Sequence, residues 1–136
     1  MRHQGFFIVT IALLVVTVSC DTAESTDDNP LIGKWVIVSI SVEESDSETT
    51  INPTYTLEFA KDSSCGILFD INACGGNYTI SSGEKINLAP MFCQKVCCDS
   101  DNALKIMGLI NSTKSFVLNG DTLFLNGSGT ILLIRA

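Results

Sequence analysis

The sequence predicts a mainly β domain: a small antiparallel β-barrel or meander of about eight short strands with one α-helix packed on it. Three observations carry this expectation. Short runs rich in Val, Ile, Thr, Phe and Leu recur along residues 31–136, polar or glycine-bearing links separate most of them, and one segment alone spaces its apolar residues three to four apart. Antiparallel neighbours need only a hairpin between them, so closely spaced strands of this kind favour a meander that can close into a barrel.

Leu31 to Val42 opens the domain as a strand, with Val36, Val38, Ile40 and Val42 alternating against Ser39 and Ser41. Glu43 to Thr50 is acidic and rich in Ser and Thr, and is expected as a solvated loop. Further strands are expected at Thr54 to Phe59, Gly66 to Ile71, Asn77 to Ser81, Ile86 to Ala89, Lys114 to Leu118, Thr122 to Leu125 and Thr130 to Arg135. The links include Lys61-Asp62-Ser63-Ser64, Ser82-Gly83-Glu84, Asn119-Gly120-Asp121 and Asn126-Gly127-Ser128-Gly129. Gly75-Gly76 is also read as a turn; neither a Lys-Ser/Thr pair nor a helix start follows it, so it lacks what a phosphate-cradling loop needs.

The helix is expected over 101–111. Asp99-Ser100-Asp101-Asn102 supplies capping oxygens and negative charge at its start, and Ala103, Leu104, Ile106, Met107, Leu109 and Ile110 form a broad apolar stripe. Such a stripe must lie on the sheet, as a lid or plug on the core, with Met107 as core filler.

Upstream of the domain, residues 1–19 read as a cleavable signal peptide. Arg2 and His3 give a short basic start, and the apolar run from Phe6 to Val18 is shorter than the roughly twenty residues a membrane span needs. Val16-Thr17-Val18-Ser19-Cys20 resembles the lipobox of bacterial lipoproteins, which implies that Cys20 carries lipid, palmitate among its acyl chains, and becomes the first mature residue. Residues 20–30 then form an acidic flexible tether with no aliphatic side chain larger than alanine, unable to bury anything.

Removing the leader removes Arg2, leaving seven Lys plus Arg against fifteen Asp plus Glu, a net charge of −8. Nucleic acid is not an expected partner at that charge, and attachment to a membrane has to come through the anchor at Cys20. The single histidine is His3, inside the leader, so the mature chain has no imidazole for a nucleophilic triad or a metal. The carboxylates cluster in the tether, the 43–48 loop and turns, where charge is ordinarily solvated. No catalytic residue, cofactor or metal is expected.

Five cysteines remain in the domain: Cys65, Cys74, Cys93, Cys97 and Cys98. In an exported chain they are disulfide candidates before they are metal ligands, and an odd number leaves one thiol over. Bridges are expected to tie the loop 92–98 back to the hairpin carrying Cys65 and Cys74. Cys97 and Cys98 are not expected to pair with each other, because a bridge between neighbours is strained.

Leu31-Ile32-Gly33-Lys34-Trp35, Thr56-Leu57-Glu58-Phe59, Asn72-Ala73-Cys74-Gly75-Gly76-Asn77-Tyr78 with Thr79-Ile80, the Cys93 to Cys98 loop with its helix, and Gly120-Asp121-Thr122-Leu123-Phe124-Leu125 follow one another in an order that resembles the META/HslJ family of small envelope lipoproteins. The resemblance covers 31–136. It implies a compact β-rich fold with one helix, a lipid-anchored place in the bacterial cell envelope on the periplasmic face or the cell surface, a non-enzymatic role, and a link to envelope stress or antibiotic tolerance. The expected partner is an unknown protein or a small apolar ligand; a lipocalin-like carrier is the alternative, and it requires an apolar cavity.

Overall fold

The computed structural model of the chain describes residues 29–45, 47–88 and 90–136. The expected leader, Cys20 and residues 21–28 of the tether lie outside the described residues, as does Ala89. The elements in chain order are β1 (Gly33–Val42), β2 (Glu48–Thr50), β3 (Thr56–Phe59), β4 (Ser64–Leu68), β5 (Ala73–Ser81), β6 (Lys85–Leu88), β7 (Phe92–Cys93), α1 (Asp101–Ser112), β8 (Ser115–Asn119), β9 (Thr122–Asn126) and β10 (Gly129–Arg135). Each of the expected strands is present, and so is the helix.

Eight of the strands close into an antiparallel barrel in the order β1, β3, β4, β5, β6, β8, β9, β10, with β10 pairing back onto β1. That closing pair runs from Trp35↔Arg135 to Val42↔Gly129. β2 shares an edge of β1 with β3, and β7 continues along the edge of β5 that β6 occupies. The thinnest seam is β6 against β8, with Lys85↔Ser115 as its one register pair and two flanking bonds, Ile86 N–H to Lys114 C=O and Phe116 N–H to Glu84 C=O.

Three details depart from the sequence expectation. The loop 43–50 ends in strand β2, which the sequence hides because all three of its residues are exposed and no alternation results. Gly75-Gly76 is not a turn but the middle of β5, opposite Gly66 and Cys65; the reversal is made instead at residues 69–72, where Phe69 N–H bonds Asn72 C=O. In β1 a bulge falls between Ile37 and Ser39. It shifts the phase of the strand, so Trp35, Ile37 and Ile40 face the core while Val36 and Val38 stay half-buried outside and Val42 is exposed.

Inside, the side chains meet. Trp35, Ile37, Leu57, Phe59, Leu123, Leu125, Ile131 and Leu133 are buried in one cluster with Ile106 and Ile110 of the helix, as an eight-stranded barrel allows. α1 lies across one mouth. Its N-terminal cap Ser100 meets Tyr55 and Asp70 beside β3 and β4, and Ser112 at its far end accepts the N–H of Ser128 in the β9–β10 hairpin. At the opposite mouth Leu31 is fully buried, the Trp35 indole donates to Leu31 C=O at 2.8 Å, and Asn29 donates to the Tyr78 hydroxyl at 2.7 Å. Asn29 and Pro30, the last two residues of the expected tether, are thus tied to the barrel; Arg135 donates to Pro30 C=O at 3.1 Å.

Candidate functional site

The cysteines sort by the faces their strands give them. Cys65 points inward from β4, is buried, and stays unpaired among the described residues. Cys74 and Cys93 stand directly opposite each other on β5 and β7, Cα atoms 4.0 Å apart, and are bridged. This is one of the expected ties between the cysteine loop and the hairpin. The other expectation fails, because Cys97 and Cys98 are bonded to each other. With Cys65 sequestered in the core and Cys93 taken by its cross-strand neighbour, the two adjacent cysteines are left facing one another. The loop accommodates the bond with positive φ at both, 150° and 53°.

Polar side chains hold this loop onto the turn 69–72. Asn72, one of the few buried polar residues, accepts from Val96 N–H at 2.8 Å and donates to Asp99 at 2.7 Å. Asp99 also accepts from the N–H groups of Ile71 and Asn72. Asp70 receives the Tyr55 hydroxyl at 2.8 Å and Ser100 N–H at 2.9 Å, so the Ser100 hydroxyl, 3.1 Å from Tyr55, is the donor in that pair. The Asn72 amide above all keeps the Asp99 carboxyl below its ordinary value, and the Ser100 N–H followed by the Tyr55 hydroxyl do so for Asp70. Burial raises the Tyr55 phenol. Both carboxylates are therefore ionised at neutral pH and engaged in structural bonds.

A carboxyl whose folded pKa is depressed stabilises the fold above its unfolded pKa and stops doing so as pH falls through the lower folded value. The expected result is that the amide resonances of Ile71, Asn72 and Ser100, followed by NMR between about pH 6 and 2, shift together with midpoints below the ordinary 3.8. Midpoints at 3.8 would mean the carboxylates are merely solvated.

Between this loop and α1 lies a solvent-open cleft of about 370 Å³, walled by Phe69, Cys93, Cys98, Ala103, Leu104 and Met107. Its walls are mainly apolar, with Asn72, Gln94, Lys95 and Asp99 as the polar groups near them. Beside it, apolar side chains stand in water: Phe92 is 82%, Val96 64% and Leu104 62% exposed. Two other grooves, of about 490 and about 580 Å³, lie on the outside of the barrel and mix polar with apolar lining, Glu43, Glu48 and Thr130 beside Phe124 and Leu132 in the first, Lys34 and Glu58 beside Ile67 and Leu68 in the second. Apolar walls with a few convergent polar groups mark a binding site better than volume does. The sequence could flag the loop by its cysteines but not the cleft, because Phe69 and the helix residues join it only through the fold. Met107, expected as core filler, is half-buried, packs against the core cluster and also lines this cleft.

Cys65 belongs to no site. Burial pushes its thiol up to about 11, so it is protonated at neutral pH, and the thiolate is the reactive form. Iodoacetamide is expected to leave Cys65 unmodified in the folded protein near pH 8 and to alkylate it fully in urea, as read by peptide mass mapping.

Among the described residues no helix is long and apolar enough to cross a membrane. No family model matches the chain, and no curated protein matches it in sequence. Solved structures similar in fold include the following two. One is a DUF4847 family protein from Bacteroides vulgatus ATCC 8482, with a TM-score of 0.61, 10% identity, and coverage of 78% of this chain and 94% of the other. The second is a protein from Burkholderia xenovorans determined by NMR, with a TM-score of 0.60, 12% identity, and coverage of 79% and 84%. What this likeness establishes is the fold alone, shared at 10–12% identity.

Proposed function

We propose that this chain is a non-enzymatic lipoprotein of the bacterial cell envelope, anchored through Cys20, with a META/HslJ-like barrel that binds a small apolar ligand in the cleft between the cysteine loop and α1. The observation that carries the binding role is the contrast between a filled barrel interior and an open apolar cleft beside it. Carrier function of the usual barrel kind needs an interior space; here the side chains fill it, and the apolar surface left to a ligand lies outside, under the helix. The anchor and the envelope location rest on the leader, the lipobox-like Val16 to Cys20 segment and the acidic tether. A non-enzymatic role is supported by a mature chain without histidine and by Asp70 and Asp99 being committed to backbone and side-chain donors. A part in envelope stress or antibiotic tolerance is what the family resemblance adds.

Titration with a fluorescent fatty acid tests the cleft. Saturable binding is expected in the wild type and at least tenfold weaker binding in Leu104→Glu, with unfolding unchanged because that side chain is already mostly in water. Equal binding by the variant, or none by the wild type, would remove the proposal. Intact mass of the membrane-fraction protein tests the anchor: the expected mass starts at Cys20 and carries acyl chains, whereas a soluble, unacylated form would refute it.

A further inference from the structure

The two disulfides of the domain differ in burial and in the loop each closes, two properties that decide how easily a bond is exchanged. Cys74–Cys93 joins two strands of the sheet, has a buried member, and closes a loop with a sequence separation of 19. Cys97–Cys98 joins neighbours in an exposed loop, so it closes no loop of chain at all. A disulfide is stabilised by the fold to the extent that it stabilises the fold, because both statements describe one thermodynamic cycle. The bridge across the sheet gains about a hundredfold in equilibrium constant from loop closure on that account, and the neighbouring pair gains almost nothing.

Two further observations point the same way. Cys97 and Cys98 both sit at positive φ, a region that L residues with side chains seldom occupy, and opening the ring frees them to leave it. The loop is meanwhile held by other means, through Val96 N–H to Asn72, Asn72 to Asp99, and the Cys74–Cys93 bridge just before it. Opening the neighbouring pair therefore leaves the barrel intact.

We infer that Cys97–Cys98 is a thiol–disulfide exchange site, reversibly opened to a vicinal dithiol by a dithiol reductant, while Cys74–Cys93 is structural. A thiolate of the reductant attacks one sulfur of the pair and forms a mixed disulfide. The Sγ–Sγ bond between Cys97 and Cys98 breaks, and the departing sulfur takes up a proton. The second thiol of the reductant then attacks the mixed disulfide, leaving as a cyclic disulfide and releasing the other cysteine as a thiol. Two electrons pass from the reductant to the protein. Because Cys97 and Cys98 both line the cleft beside Leu104 and Met107, the exchange alters one of its walls. The inference does not depend on what occupies that cleft.

The test is graded reduction of the folded, full-length chain with dithiothreitol, quenched by iodoacetamide and mapped by peptide mass. Cys97 and Cys98 are expected to be alkylated together at reductant concentrations about a hundredfold lower than those that open Cys74–Cys93. At that stage phenylarsine oxide, which takes up two thiols with loss of water, is expected to add once and to block alkylation of both. Opening of both bridges over the same range would overturn the inference, as would Cys97 and Cys98 being alkylated before any reductant is added, or a reduced protein that does not take up the arsenical. The Cys97→Ser/Cys98→Ser double variant separates exchange from structure. Its urea midpoint is expected to match the wild type, and a variant that fails to fold would make the bond structural instead.

Discussion

Gly129→Ala is expected to lower the unfolding free energy by about 3 kcal/mol or more, read as a shift of the urea midpoint. A Cβ at this position would lie 2.2 Å from the Ser41 carbonyl oxygen, 2.8 Å from a Leu109 methyl and 3.0 Å from the Val42 Cα. Two of those atoms are backbone of β1, and Gly129 is paired with Val42 at the end of the strand pair that closes the barrel. Relief requires β10 to move away from β1, the helix to lift, or both. Gly108 is the control. It lies within α1 with nothing inside 4 Å of its built Cβ, so Gly108→Ala is expected to stabilise by about 0.5–1 kcal/mol through helix propensity and unfolded-state entropy. Opposite signs for the same chemical change would assign the effect to the contact at Gly129; equal signs would show that the hairpin gives way freely.

Trp35→Ala is expected to cost about 4 kcal/mol, a large share of the 5–15 kcal/mol typical of a domain. Trp35 is fully buried, its indole N–H bonds Leu31 C=O, and the Arg135 guanidinium lies over its ring at 4.2 Å from the centroid. Truncation opens a cavity, orphans a buried carbonyl and removes the platform on which Arg135 rests while it donates to Pro30 and Ile32. Trp35→Phe retains most of the volume but not the donor, and is expected to cost about 1–3 kcal/mol. Trp35 is the one tryptophan of the chain, so unfolding of these variants is followed by far-ultraviolet circular dichroism. A cost below about 1 kcal/mol for Trp35→Ala would mean that the mouth beside Leu31 collapses to fill the space.

The barrel strands were legible because each pairs a buried face with a solvated one, and β-branched or aromatic residues at every second position record that arrangement. Thr56–Phe59, with Leu57 and Phe59 inward, and Thr122–Asn126, with Leu123 and Leu125 inward, show it directly. β2 and β7 left no such record, the first being wholly exposed and the second only two residues long. Gly75 and Gly76 were misleading for a related reason: without side chains they carry no alternation, and a pair of glycines looks the same in a hairpin turn as in a strand. Paired cysteines depend on register. Cys74 and Cys93 become partners only once β7 lies beside β5, and the bond between Cys97 and Cys98 follows from Cys74 and Cys93 being paired and Cys65 facing the core. The helix was readable to within one residue at its end, from its Ser100 cap and apolar stripe, yet the cleft it helps to form was not, since Phe69 and Leu104 lie far apart in sequence.

The strand pair that closes the barrel also sets its folding order in time. β1 and β10 form the longest run of paired residues in the sheet, and beside this seam the Arg135 side chain reaches Pro30, 105 residues away. Every other barrel pairing can form as a local hairpin or near neighbour, but β1 keeps one bare edge until Gly129–Arg135 has been synthesised. Contacts of such long range form slowly, because the whole intervening chain must be ordered first. During synthesis the barrel therefore cannot close before β10, its last strand, is available to pair with β1.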